Sequence, residues 1–230
     1  VDSHPARVGH SAFARDGGGQ ASLAVARSLK PVICAINGAA VGIGATFPCA
    51  CDLRIAAADA KYGFVFGQRG LTMEGCSSFF LPRLVGMTKA NDFVLTARIF
   101  ECASEADCGL FTEVVPSEEV MPRAIEIAKH MATNVAPMSM MLNKHMILRG
   151  FAEDMSPEQA HLVESKFMAG WRNPDNAEGV KSFLEKRPPE FTSDPWRDTP
   201  PSFPWWNERS VVPSQPRYDR SPQRPDLSKL

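Results

Sequence analysis

Apolar residues between positions 30 and 101 come in short blocks of two kinds. PVICAI at 31–36, LRIAAA at 53–58 and YGFVF at 62–66 are compact runs, rich in β-branched and aromatic residues and bounded by turn formers, which predicts three buried strands. Positions 75–84 and 87–97 instead repeat their apolar residues at helical spacing, and 98–101 returns to a strand pattern. Positions 21–29 predict a short amphipathic helix that leads into the first strand. Beyond 116 the pattern is helical throughout: 117–133 opens on Ser117 with Glu118 and Glu119 at its positive end, 137–149 opens on Pro137, a third helix opens at Ser156-Pro157-Glu158, and 176–186 makes a fourth.

Between the first two strands lies a segment of small residues, Gly38-Ala-Ala-Val-Gly42-Ile-Gly44-Ala, that runs on as an apolar helix toward Cys51. Asn37-Gly38 closes the preceding strand in a tight turn. A glycine turn that opens a helix leaves backbone N–H groups unpaired at the positive end of the helix dipole, where an anion or a developing oxyanion is stabilised. The same pattern also describes a βα junction with no chemistry, and the residues alone leave both readings open.

The chain has 230 residues, 44% of them hydrophobic, enough for a sizeable core, and a net charge of −1 that argues against general affinity for nucleic acid or anionic membranes. No apolar run is long enough to span a bilayer. Six cysteines sit mostly inside apolar runs, without CxxC pairs or metal-ligand spacing, so they read as reduced core residues and no metal is expected. The order of four segments, KPVICAINGAAVGIGA, CDLRIAA, AKYGFVF and EGCSSFFLPRLVG, resembles the crotonase superfamily, the enoyl-CoA hydratase and isomerase group, and the likeness extends to FLEKRPPEF at 183–191.

That resemblance implies an α/β fold of ClpP/crotonase type, a spiral of ββα units at 21–133 with a carboxy-terminal helical region at 134–187. It also implies an acyl-CoA thioester as substrate, no cofactor beyond the CoA that the substrate carries, and a homotrimer or homohexamer. Relatives carry further strands upstream, one ending in a motif like FSAGADL that supplies the first of two oxyanion N–H groups. That motif is absent from this sequence, where 1–20 is polar, glycine-rich and expected to be flexible. A fragment and a chain that has lost half of its oxyanion hole both remain open.

Hydratases of the group use two glutamates, one to activate water and one to protonate carbon. The matching positions here hold Thr46 and Phe66. The sequence is more similar to peroxisomal Δ3,Δ2-enoyl-CoA isomerases, whose carboxylate lies in an EGG or EGC segment, here Glu74-Gly75-Cys76. The resemblance therefore implies Glu74 as the base, the N–H of Ile43 as an oxyanion donor, and Gly42, Phe64, Phe66 and Phe79 at the substrate. One base suffices for isomerisation, because a proton leaves C2 and one returns at C4 of the same dienolate. A glutamate in the first turn of a helix is also favoured by the dipole without any chemistry.

Ten of the nineteen prolines fall between Pro188 and Pro225, which predicts an extended, largely disordered tail over 188–230. It ends in Ser228-Lys229-Leu230, the address read by the peroxisomal import receptor, so a peroxisomal enzyme is expected. Hydratase or other crotonase chemistry, and an inactive acyl-CoA-binding subunit, stand as alternatives.

Overall fold

A computed structural model describes residues 16–152, 155–168 and 174–206. The first half is a spiral whose strands are shared between two three-stranded sheets. Ile33–Ile36 (β1), Leu53–Ala57 (β3) and Glu113–Val115 (β6) form one sheet, all parallel, in the order β1-β3-β6. The other sheet has the order β2-β4-β5: Ala40–Val41 (β2) runs parallel to Lys61–Gly63 (β4), which is antiparallel to Ile99–Glu101 (β5). Ile43–Ala50 (α2) packs against both Gly17–Arg27 (α1) and Ser77–Thr96 (α3) beside the strands, and Val120–Asn134 (α4) covers β1 and β3. This is the expected ββα spiral. Among the described residues β1 and β2 are each paired on one side only.

The core of this half is aromatic. Tyr62, Phe64 and Phe93 are fully buried, with Phe93 stacked on Phe100 at 4.5 Å between ring centroids and Tyr62 edge-on to Phe111 at 5.5 Å. Burying such rings is the largest apolar contribution a side chain can make, at about 25 cal/mol per Å². Tyr62 also spends its hydroxyl inside the core, donating to the Ala45 carbonyl at 2.5 Å, so α2 is bonded directly to the aromatic cluster.

Several expectations are corrected. The strand expected over 62–66 stops at Gly63, and Val65–Arg69 coils into a 3-10 helix closed by Gly70 in the left-handed region (φ 65°). The two helices expected at 75–84 and 87–97 are one element whose axis breaks at Gly86, where φ 75° and ψ 162° are non-helical. β6 was not foreseen, because three residues are too few to show alternation; its place comes from pairing with β3. Helix α1 begins at Gly17, inside the stretch 1–20 that was expected to be flexible: the Asp16 side chain caps it, accepting from the Gly19 N–H at 2.5 Å.

Helices Pro137–Ala152 (α5), Pro157–Met168 (α6) and Pro174–Glu185 (α7) form the second half. Met138, Met141, Leu142 and Phe167 make a small core there, joined by Phe203 and Trp205. The stretch 188–206, expected as part of a disordered arm, is therefore packed at its aromatic end: Trp206 stacks on buried His145 at 5.4 Å, Phe203 meets the same histidine edge-on at 5.2 Å, and Trp205 meets Phe203. Large rings secure a proline-rich segment that has no periodicity of its own. Residues 1–15 and the Ser228-Lys229-Leu230 terminus lie outside the described residues. No described helix is long and apolar enough to cross a membrane.

Candidate active site

Helix α2 is braced along its length. Gly42 precedes it in a conformation available to glycine (φ 56°, ψ −129°), and its carbonyl accepts from the N–H groups of Ala45 and Thr46 at 2.9 and 3.0 Å. Ile43, the first helical residue, has no intrahelical carbonyl for its own N–H. Tyr62 holds the middle of the helix. At the far end the buried guanidinium of Arg54 donates to the carbonyls of Pro48 and Cys51 at 3.2 and 2.5 Å, and to Leu110 at 2.6 Å, satisfying carbonyls that a helix end leaves open. Asp52 joins helix to strand as a structural residue, accepting from the Val32 N–H at 2.7 Å and from the buried Lys144 ammonium at 2.8 Å.

Glu74 comes to this helix from the loop after the 3-10 turn. Its carbonyl accepts from both the N–H and the hydroxyl of Ser77, at 3.0 and 2.6 Å. Gly75 and Cys76 then follow in the left-handed region (φ 63° and 59°), a double bend that starts α3 and turns the glutamate back onto α2. A β-carbon at 75 would come within 2.7 Å of the Thr46 hydroxyl oxygen, so the glycine is needed for close approach as well as for its φ. Half-buried Glu74 accepts at Oε1 from fully buried Thr46 Oγ1, at 2.5 Å. Its Oε2 faces Gly18 on α1: a β-carbon there would lie 2.2 Å from Oε2 and 2.7 Å from Ile43 Cδ1.

The structure thus brings Glu74 and Ile43 together around Gly18, beside Gly42. It does not bring the three phenylalanines there. Phe64 and Phe66, expected at the substrate, are packed in the hydrophobic core, where Phe64 lies 5.7 Å from Tyr62 and 6.1 Å from Phe93 between ring centroids. The run AKYGFVF places them on the inner side of the 3-10 turn. Phe79 is half-buried on α3 under the Arg83 guanidinium at 3.8 Å and borders a different cavity of about 380 Å³, lined also by Cys49, Ala50 and Lys144. The hollow of about 830 Å³ between β1, α4 and residues 191–197 does not touch Glu74 either.

Three residues near Glu74 were not singled out from the sequence. Thr46 was read only as the place of an absent glutamate. Gly18 and Asp16 were read as part of a glycine-rich lead. Asp16 Oδ1 lies 3.2 Å from the β-carbon position at Gly18, so a second carboxylate stands close to Glu74. Cys76 registers both: its thiol is pushed above its ordinary value by burial, and then by the charges of Asp16 and Glu74, which disfavours a nucleophilic thiolate. An aspartate followed by glycines before an amphipathic run is a cap signal that would have found Asp16; only the fold shows what it stands beside.

The family model for enoyl-CoA hydratase/isomerase matches residues 6–194. The chain belongs to the enoyl-CoA hydratase/isomerase family. It is similar to enoyl-CoA hydratase ACTT3 of Alternaria alternata, 43% identical over 179 residues, which are 77% of this chain and 60% of that protein. It is also similar to 1,2-epoxyphenylacetyl-CoA isomerase of Escherichia coli (strain K12), 33% identical over 168 residues, which are 73% and 63% of the two. The chain thus spans about 60% of the length of these relatives. Among solved structures, enoyl-CoA hydratase from Bacillus anthracis superposes with a TM-score of 0.72 at 31% identity, over 77% of this chain and 68% of that one. A putative enoyl-CoA hydratase/isomerase family protein from Hyphomonas neptunium gives 0.69 at 35%, over 76% and 66%. Family membership and the ββα spiral expected from the sequence are both shown.

Proposed function

We propose that this family member shifts the double bond of a 3-enoyl-CoA to the 2-position with Glu74 as its one acid–base group. The observation that carries the reading is the seat of the carboxylate: Oε1 is occupied by Thr46, and Oε2, which has no hydrogen-bond partner among the described residues, lies with the Ile43 side chain against Gly18 of α1. Oε2 removes a proton from C2, activated by the thioester. The electron pair spreads to the thioester oxygen and to C4, the N–H of Ile43 stabilises the oxygen, and the proton returns to C4 while the double bond settles between C2 and C3. One donor of this kind contributes about 2.7 to 4 kcal/mol to such a step.

The test is isomerisation of a 3-enoyl-CoA by wild type and Glu74→Gln. A fall of roughly 100- to 10,000-fold is expected from loss of the acid–base group; unchanged turnover overturns the assignment. Hydration of a 2-enoyl-CoA is the second reading, favoured by one observation, the Asp16 carboxylate beside Glu74, and in keeping with the names of the relatives. Under it, oxygen from labelled water enters the product and Asp16→Asn abolishes that incorporation while leaving isomerisation. The Ser228-Lys229-Leu230 tripeptide supports peroxisomal delivery. A fluorescent fusion should reach peroxisomes with it and remain outside them when Leu230 is replaced by aspartate. A homotrimer or homohexamer, proposed from family likeness, is checked by light scattering.

A further inference from the structure

We propose that Thr46 is a positioning residue that dedicates Glu74 Oε2 to carrying the proton, so that the hydrogen taken from C2 is the one returned to C4. The inference rests on the isomerase reading above and adds to it which oxygen works and what keeps it in place.

A carboxylate on a free side chain offers two equivalent oxygens and turns about its terminal bond, so a proton gained on one face is readily lost to water before it is returned. Four contacts remove that freedom here. The Thr46 hydroxyl donates to Oε1 at 2.5 Å from a side chain that is fully buried, and a short bond to a carboxyl oxygen is among the stronger kinds. Thr46 is itself fixed by its place on α2, where its N–H is bonded to the Gly42 carbonyl at 3.0 Å. Gly75 fits against the threonine so closely that a β-carbon would meet its Oγ1 at 2.7 Å, so the hydroxyl and the glutamate backbone cannot drift apart without opening that contact. Beyond Oε2, the bare α-carbon of Gly18 leaves room for the oxygen at a distance where any side chain would displace it.

Threonine is well suited to this role. Its branched β-carbon restricts χ1, so the hydroxyl has only a few directions open to it on the helix. Valine keeps the shape and removes the donor; serine keeps the donor and loosens the shape.

The experiment uses the full 230-residue chain and a 3-enoyl-CoA carrying deuterium at C2, with turnover and the fraction of label recovered at C4 as readouts. Thr46→Val should lower kcat about 10- to 100-fold with little change in KM, as expected when a reacting group is misplaced but substrate still binds. Label transfer to C4 should fall at least severalfold. Thr46→Ser should restore most of both. Thr46→Ala serves as a second variant without a donor if the valine chain does not fold. Equal kcat and equal label transfer in wild type and the donor-less variants overturn the inference, as does a serine variant as impaired as valine, which would mean that packing alone matters. If instead wild type does not isomerise, or Glu74→Gln retains full turnover, it is the isomerase reading that fails, and the two failures are told apart.

Discussion

Two buried polar side chains, one in each half of the molecule, are treated in opposite ways. Thr46 on α2 gives its hydroxyl to Glu74, so its burial is matched by a short, directed bond. His145 on α5 is almost wholly buried, yet among the described residues neither ring nitrogen has a hydrogen-bond partner, and neither do the indole N–H groups of Trp206, which stacks on it, and of Trp205. The first arrangement fixes direction, which chemistry needs. The second gains only contact area, with Arg149 over the Trp206 ring at 4.1 Å, and costs stability through donors and acceptors removed from water. A site and a fastening are thus distinguished by how their polar atoms end, more than by how deeply they lie.

The contrast breaks most sharply at Gly18. Gly18→Ala should cost about 100-fold in isomerase turnover and only about 1 kcal/mol of stability, because the obstructing atoms, Glu74 Oε2 and Ile43 Cδ1, are side-chain ends that can shift, though only by giving up the Thr46 bond that points the carboxylate. A matched loss of stability and turnover would show that α1 is misplaced relative to Glu74. On the other side, Phe203→Ala should remove about 2 kcal/mol from unfolding free energy, less than a fully buried ring because Phe203 is half-exposed, and leave kcat intact. Denaturant titration with parallel assays checks both halves of that statement.

His145 gives a pH signature. Burial first, then the charges of Lys144 and Arg149, hold its pKa down to about 4 from an ordinary 6.5, with Asp52 acting weakly the other way. The unfolded chain therefore binds the extra proton first, so stability is complete above about pH 6.5 and declines as the pH falls toward 4. His145→Met should flatten that decline and raise stability at pH 7 by about 1 kcal/mol by deleting the unpartnered nitrogens. Melting curves from pH 4 to 8 decide it. The smallest effect is expected at Cys76, a left-handed residue for which glycine would relieve at most about 1 kcal/mol; thermal melts of Cys76→Gly measure it.

Much of the spiral was legible because its signals are local. Strand β3 and the glycine entry to α2 are contiguous runs with clear ends, and Gly86 announces its break. Glu74 and Ile43 were singled out only through family likeness, and the structure places their side chains together against Gly18. What escaped depends on distance in sequence: Thr46 and Glu74 are 28 positions apart, and nothing in either neighbourhood says that they touch. The aromatic residues were misjudged for a related reason. Phe64 and Phe66 carry the same spacing whether they face a ligand or the core, and only the turn at Val65–Arg69 decides. The proline-rich stretch up to Trp206 gave no periodicity to read, since rings fasten it one contact at a time.

Tyr62 has a wider consequence. Because its hydroxyl grips the carbonyl of Ala45, the helix presenting Ile43 and Thr46 shares its fate with the Phe93–Phe100 stack. Heating should leave no interval in which the Glu74 surface has frayed but the interior survives: loss of the proposed turnover and loss of near-ultraviolet aromatic ellipticity should arrive together, when the whole spiral gives way.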